Sequence, residues 1–216
     1  MKKEVSVLLG VGLLIVVLVG LGMFLSGSEA DKTTATQTVL LDGAVYQTNY
    51  QGKDKIAKVN VIEFGDYQCP ACAVAEPKVE EMLAKYKDNK EFNFVFRSFP
   101  LPQHQNAMIA SEAVLAAGEQ GKFWEMHNKL YANQSEWENS TAPLDIYAKY
   151  AADLGLNVEV FKEAVRTEKF KDQILKDKSI AESIGINATP TFYVNDKPFV
   201  GVPKDDMFKA VEEGLK

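Results

Sequence analysis

The sequence predicts an α/β domain interrupted by an all-helical segment and preceded by an N-terminal transmembrane helix, and three observations predict it. Two short runs that alternate and end in apolar residues, Lys58–Phe64 (KVNVIEF) and Phe92–Phe96 (FNFVF), flank an amphipathic stretch. A long region of helical periodicity then runs to about Ile184 before strand character returns at Thr191–Val194 (TFYV). Ahead of all this, the uncharged stretch Val5–Leu25 stands behind Lys2 and Lys3.

At about 1.5 Å per residue, Val5–Leu25 is long enough to cross the roughly 30 Å hydrocarbon core of a bilayer. The competing reading is a cleaved signal peptide, with Ser26, Ser28 and Ala30 as small residues for a cleavage site, but such apolar regions usually run only about 7 to 15 residues. An uncleaved anchor over residues 5–25 is therefore expected, with residues 1–4 in the cytoplasm by the positive-inside rule and the rest exported. Residues 26–37 (SGSEADKTTATQ) are small, polar and aperiodic, as in a tether. The folded domain is expected over 38–216. The formal charge of −6 and the lack of any long basic cluster give no field for nucleic acid.

Within the domain, Val74, Ala75, Val79, Met82, Leu83 and Tyr86 recur at helical spacing between the two strands, so Pro70–Lys87 is a helix and the three elements form a βαβ unit. Pro77 lies inside that helix, where its missing N–H predicts a kink. From about 103 to 184 the chain reads as about five helices, punctuated by Gly118, Gly121, Gly155, Gly185 and Pro143. A turn at Asn195–Lys197, a strand at Phe199–Val200 and a helix from about Lys204 to Leu215 close the domain.

The chemistry lies in Cys69-Pro70-Ala71-Cys72, which holds the only two cysteines of the chain and stands directly after a strand at the opening of a helix. With Pro70 at the first helical position, Cys69 becomes the N-cap, facing unpaired amides and the positive end of the helix dipole, which favour thiolate. Cys72 follows one turn deeper on the same face, at a separation a disulfide can bridge. An outer attacking sulfur and an inner resolving sulfur result. A structural zinc site needs about four ligands, and only these cysteines with His104 and His127 are on offer, so neither a metal nor a cofactor is expected. A merely structural bridge would close a loop too short to gain much entropy. Near a helix start and on an amphipathic helix, His104 and His127 are expected to be surface or groove residues rather than catalytic bases.

Val61–Cys72 (VIEFGDYQCPAC), Phe96–Leu101 (FRSFPL) with His104 and Ala107, and Gly185–Phe192 (GINATPTF) together resemble the thioredoxin superfamily, and within it the DsbA-like branch with a helical domain inserted in the thioredoxin fold. The resemblance spans about Val59 to the C-terminus, with its pieces in the family's order. It implies that Pro190 is the cis-proline packed against the active disulfide and that Thr189 presents backbone to an extended substrate peptide. It also implies that Glu63 is the buried acid serving proton transfer at the inner cysteine, a burial that its neighbours Ile62 and Phe64 do not decide, and that Pro77 is the kink proline. Ala71 stands where strongly oxidising enteric members carry histidine, and Thr189 where they carry valine, so oxidising strength is not carried over.

The expected function is a thiol-disulfide oxidoreductase, an oxidase that introduces disulfides into exported polypeptides through a mixed disulfide at Cys69. A reductase or isomerase would run the same exchange from the dithiol, although family isomerases carry a dimerisation domain for which the stretch before Val59 leaves no room. A non-catalytic peptide-binding domain is the third reading. The expected partners are exported chains with free thiols or disulfides and a membrane or extracytoplasmic redox partner that resets the pair. The chain is expected to act as a monomer on the extracytoplasmic side of the membrane.

Overall fold

The computed structural model describes residues 38–44 and 57–216. Residues 1–40 and 41–216 form separate units, and of the first only 38–40, which are helical, are described. The anchor expected at 5–25 and the tether at 26–37 lie outside the described residues. Among the described residues no helix is long and apolar enough to cross a membrane.

In the second unit, β1 (Val59–Gly65) pairs in parallel with β2 (Phe92–Ser98) and antiparallel with β3 (Thr191–Val194), which pairs antiparallel with β4 (Lys197–Val200). The order is β2-β1-β3-β4. Every residue of β1 and β2 is buried, as in a sheet covered on both faces, the polar Asn60, Glu63, Asn93, Arg97 and Ser98 included. The helix between them, α1 (Pro70–Tyr86), makes the expected βαβ unit.

On α1, Cys72, Ala75, Glu76, Val79 and Met82 form the buried stripe. Val74, expected among the helical-spacing residues, is 64% exposed because it falls on the opposite side of the helix from Cys72. The helix continues through Pro77, whose ring faces solvent.

Between β2 and β3 come α2 (Ala107–Glu119), α3 (Phe123–Ala132), α4 (Gln134–Trp137), α5 (Pro143–Asp153), α6 (Val158–Arg166) and α7 (Lys171–Ser183). That is six helices against about five expected, since the four residues of α4 are too few to show a period. Phe94, Phe96, Val114, Met126, Leu130, Trp137 and Phe192 belong to one core cluster, so the insertion and the sheet share their interior. On the other face of β2, the buried Arg97 donates to Asp177 of α7 (2.7 Å) and to the carbonyl of Asp42 (2.7 Å). The β3–β4 turn is the pair Asn195-Asp196, shorter than expected, so β4 starts at Lys197; Asn195 takes the left-handed conformation (φ 56°) that asparagine tolerates. The last helix is α8 (Asp205–Leu215).

Candidate active site

The link from β1 to α1 is a tight loop. The side chain of Asp66, buried, accepts from the amides of Gln68 (2.8 Å) and Leu101 (2.8 Å) and lies 2.7 Å from His104 Nδ1. Its carbonyl accepts from the amide of Cys69 (3.0 Å). Cys69 is the N-cap of α1, extended at φ −73° and ψ 121°, with Pro70 at the start of the helix. The N-terminal amides of α1 are thereby aimed at the Cys69 sulfur.

Both cysteines are free thiols, Cys69 7% exposed and Cys72 fully buried. The thiol of Cys72 and the backbone amides of Cys72 and Ala71 stabilise the Cys69 thiolate, with the Thr189 side chain adding to them, and against the opposing effect of burial they push the Cys69 thiol down to about 5. Cys72 moves the other way. Burial first, then its hydrogen bond to Cys69 and the charges of Glu63 and Cys69, holds its thiol well above the ordinary value.

The Thr189–Pro190 peptide bond is cis. It brings the Thr189 carbonyl to 3.5 Å from Cys69 Sγ, where the protonated thiol donates to it. Thr189 Oγ1 is buried without a hydrogen-bond partner, so its effect on the sulfur comes from nearness rather than from a well-formed bond. Thr191 Oγ1 donates to the Ala188 carbonyl (2.8 Å) and the amide of Gly201 donates to the Pro190 carbonyl (2.8 Å), fixing the turn on both sides.

Glu63, opposite Phe96 in the sheet, is 1% exposed and its Oε2 has no hydrogen-bond partner. Burial, reinforced by the charges of Glu76 and Cys69, raises its carboxyl well above the usual carboxylate range. Gly65 is what lets Phe96 and Glu63 come so close. A Cβ there would stand 2.5 Å from the Phe96 ring and 3.1 Å from Glu63 Oε1.

Three amide side chains that sequence reasoning missed fasten this loop to the insertion. Gln134 of α4 donates to the carbonyls of Tyr67 (2.7 Å) and Cys69 (3.1 Å), and Gln68 donates to the Glu138 carbonyl (2.7 Å). Asn106 donates from its backbone to Gln68 Oε1 (2.6 Å) and from its side chain to the carbonyls of Trp137, Glu138 and Ser140. His127 corrects an expectation, because it is neither a surface nor a groove residue but is buried at 1% exposure. His104 keeps a side chain 19% exposed beside Asp66. Among the described residues no cluster of His, Cys, Asp and Glu is arranged to hold a metal ion.

The family model described as Thioredoxin matches residues 45–213. Disulfide bond formation protein D of Bacillus subtilis is 34% identical over 171 residues, covering 76% of each chain. BdbD from Bacillus subtilis, solved in its oxidised form, superposes with a TM-score of 0.66 at 29% identity, over 76% of this chain and 90% of that one. Na(+)/H(+) antiporter NhaA 1 of Salinispora arenicola is 39% identical over 142 residues. The chain spans only 21% of that antiporter's length, so antiport stays with that protein.

Proposed function

Because the chain belongs to the thioredoxin family, in its DsbA-like branch of protein-disulfide oxidoreductases, we propose that it works as an oxidase of exported polypeptides through Cys69 and Cys72. The observation that carries this reading is the opposed pull on the two sulfurs, Cys69 pushed down to about 5 and Cys72 well up. A stabilised Cys69 thiolate stabilises the dithiol form of the enzyme, and the disulfide is correspondingly the stronger oxidant.

In the proposed cycle a substrate thiolate attacks Sγ of Cys69 in the disulfide, and the S–S electron pair leaves on Cys72. Cys72 is the poorer place for a charge, so it takes a proton as it leaves, and Glu63 is the proposed donor. The second substrate thiolate then attacks the substrate sulfur of the mixed disulfide, and Cys69 leaves as thiolate. Two electrons pass from the substrate to the enzyme, which a membrane or extracytoplasmic redox partner must remove. Reoxidation takes the proton off Cys72 and returns it to Glu63. Thr189 and Pro190 are the proposed contact for the extended substrate backbone, and Pro70 and Ala71 shape the helix end.

The proposed site of action is the extracytoplasmic face of the membrane, with Val5–Leu25 as a single-pass anchor and the domain acting as a monomer. Membrane retention after a carbonate wash tests the anchor, and a soluble mature form beginning near Glu29 would overturn it.

Equilibration of Cys69-Cys72 against glutathione tests the direction of net reaction. A potential well above about −270 mV, the value of a thioredoxin, supports the oxidase, and one at or below it supports the reductase. In the same assays Cys72→Ser accumulates mixed disulfides through Cys69 while Cys69→Ser does not. Equal accumulation by both would contradict the assigned nucleophile.

A further inference from the structure

The thiol exchange as proposed makes no use of a second group of titratable side chains buried behind the sulfurs. His127 sits in an aromatic box, edge-on to Phe96 (4.7 Å), Tyr131 (5.1 Å), Trp124 (5.3 Å) and Tyr67 (5.4 Å). Its two nitrogens have partners of different kinds. Nδ1 lies 2.9 Å from the Tyr67 hydroxyl, and Nε2 lies 3.3 Å from Oε2 of Glu76, itself only 5% exposed on α1 one turn beyond Cys72. A hydroxyl that donates to Nδ1 leaves the ring proton on Nε2, facing the carboxylate, and a neutral imidazole then satisfies both neighbours. A buried carboxylate without a hydrogen-bond donor bears the full cost of leaving water.

That charge matters to Glu63. After burial, Glu76 is the strongest influence holding the Glu63 carboxyl up, and Glu63 in turn acts on Cys72. The titratable groups gathered here are Glu63 from β1, Tyr67 from the loop, Cys69, Cys72 and Glu76 from α1, and His127 with Tyr131 from α3, whose buried hydroxyl has no hydrogen-bond partner. The histidine thus places a hydrogen-bond donor against Glu76, whereas Oε2 of Glu63 has no partner.

We propose that His127 is a positioning residue for the proton of the exchange: by holding Glu76 as a carboxylate it keeps a proton on Glu63, ready for the sulfur of Cys72 as the disulfide opens. The inference rests on the reading of Glu63 as that proton donor. It assigns the helical insertion, through α3, a part in the chemistry as well as in the shape of the domain.

The test follows the carboxylic-acid C=O band of Glu63 by infrared difference spectroscopy against pH in the oxidised full-length protein, with Glu63→Gln identifying the band. His127→Phe removes both hydrogen bonds and Glu76→Gln removes the charge, and each is expected to move the Glu63 midpoint down by about one pH unit or more, the effect of one nearby charge in a partly screened interior. His127→Gln, which can still donate to Glu76, is expected to keep most of the wild-type midpoint. The rate of mixed-disulfide formation is measured on the same proteins. At pH values above the wild-type midpoint it should fall about tenfold for every pH unit by which that midpoint drops. Should His127→Phe not fold, Glu76→Gln and the milder Tyr67→Phe carry the comparison, both expected to move the midpoint downward. An unmoved midpoint in these variants overturns the proposal. If instead Glu63→Gln forms the mixed disulfide at the wild-type rate across the pH range, it is the donor role of Glu63 that fails.

Discussion

Replacing Cys72 with alanine removes the first of the groups that hold Cys69 ionised. In the dithiol protein the Cys69 thiol is pushed down to about 5, with the Cys72 thiol ahead of the Thr189 side chain and the helix amides among the causes. A hydrogen bond to a charged partner contributes about 1.5–3 kcal/mol, and one pKa unit is about 1.4 kcal/mol, so its loss should raise the Cys69 midpoint by about one to two pH units. At pH 7 the ionised fraction would fall from about 99% to somewhere between about half and nine-tenths. Cys72→Ser keeps a hydroxyl donor in nearly the same place and should titrate between the alanine variant and the wild type. Ultraviolet thiolate absorbance against pH, on both variants and on reduced wild type, reads the three midpoints directly. If Cys72→Ala titrates with wild type, the helix amides and Thr189 hold the thiolate without the Cys72 thiol, and the role given to that thiol is wrong.

Stability should follow the same titration. The Cys69 thiol is depressed from 9.0 to about 5 on folding, so between those values the unfolded dithiol binds the extra proton. The folded dithiol form therefore gains about 1.4 kcal/mol per pH unit relative to the folded disulfide form as pH rises across that window, and loses it as pH falls through 5. Denaturation of both forms across the window measures the slope, and parallel profiles would refute it. Asp177→Asn leaves the fully buried Arg97 side chain without its counter-charge, which should cost about 3–5 kcal/mol in urea unfolding at pH 7. Burial raises the Asp177 carboxyl from 3.8 to about 6, so the folded wild type binds a proton before the unfolded chain does, gains stability as pH falls across that window, and the deficit should widen there. A deficit under about 1 kcal/mol at pH 7 would show that Arg97 is compensated elsewhere.

The elements legible in the sequence are those whose signal is local. β1, α1 and β2 announce themselves through period and length, and the cysteine pair through its place between strand and helix. The strand pattern hides Glu63, because both faces of this sheet are buried and alternation cannot say which way a carboxylate points. Val74 misled because an apolar residue stands off the stripe while Glu76 stands on it, a local break of pattern at the chemical site. The burial of His127 was within reach: Phe123, Met126, His127 and Leu130 lie at helical spacing on one stripe, with the histidine in line. Its partners were not within reach, since Tyr67 and Glu76 are sixty and fifty-one residues away along the chain. The Asp66–His104 pair and the amide side chains of Gln68, Asn106 and Gln134 are invisible for the same reason, being set by tertiary packing rather than by any repeat.

β4 closes one side of the sheet, and among the described residues its outer edge has no further strand beside it. An enzyme proposed to handle unfolded, newly exported chains meets many extended segments able to zip onto such an edge in any register. Here the edge is only four residues long, Lys197 and Pro198 are exposed on it, and Pro198 has no N–H with which to begin a ladder. Indiscriminate strand addition is discouraged at this edge. Under the proposed function, clients would engage instead at the sulfur and the Pro190 turn, where a contact ends in exchange and release rather than accretion.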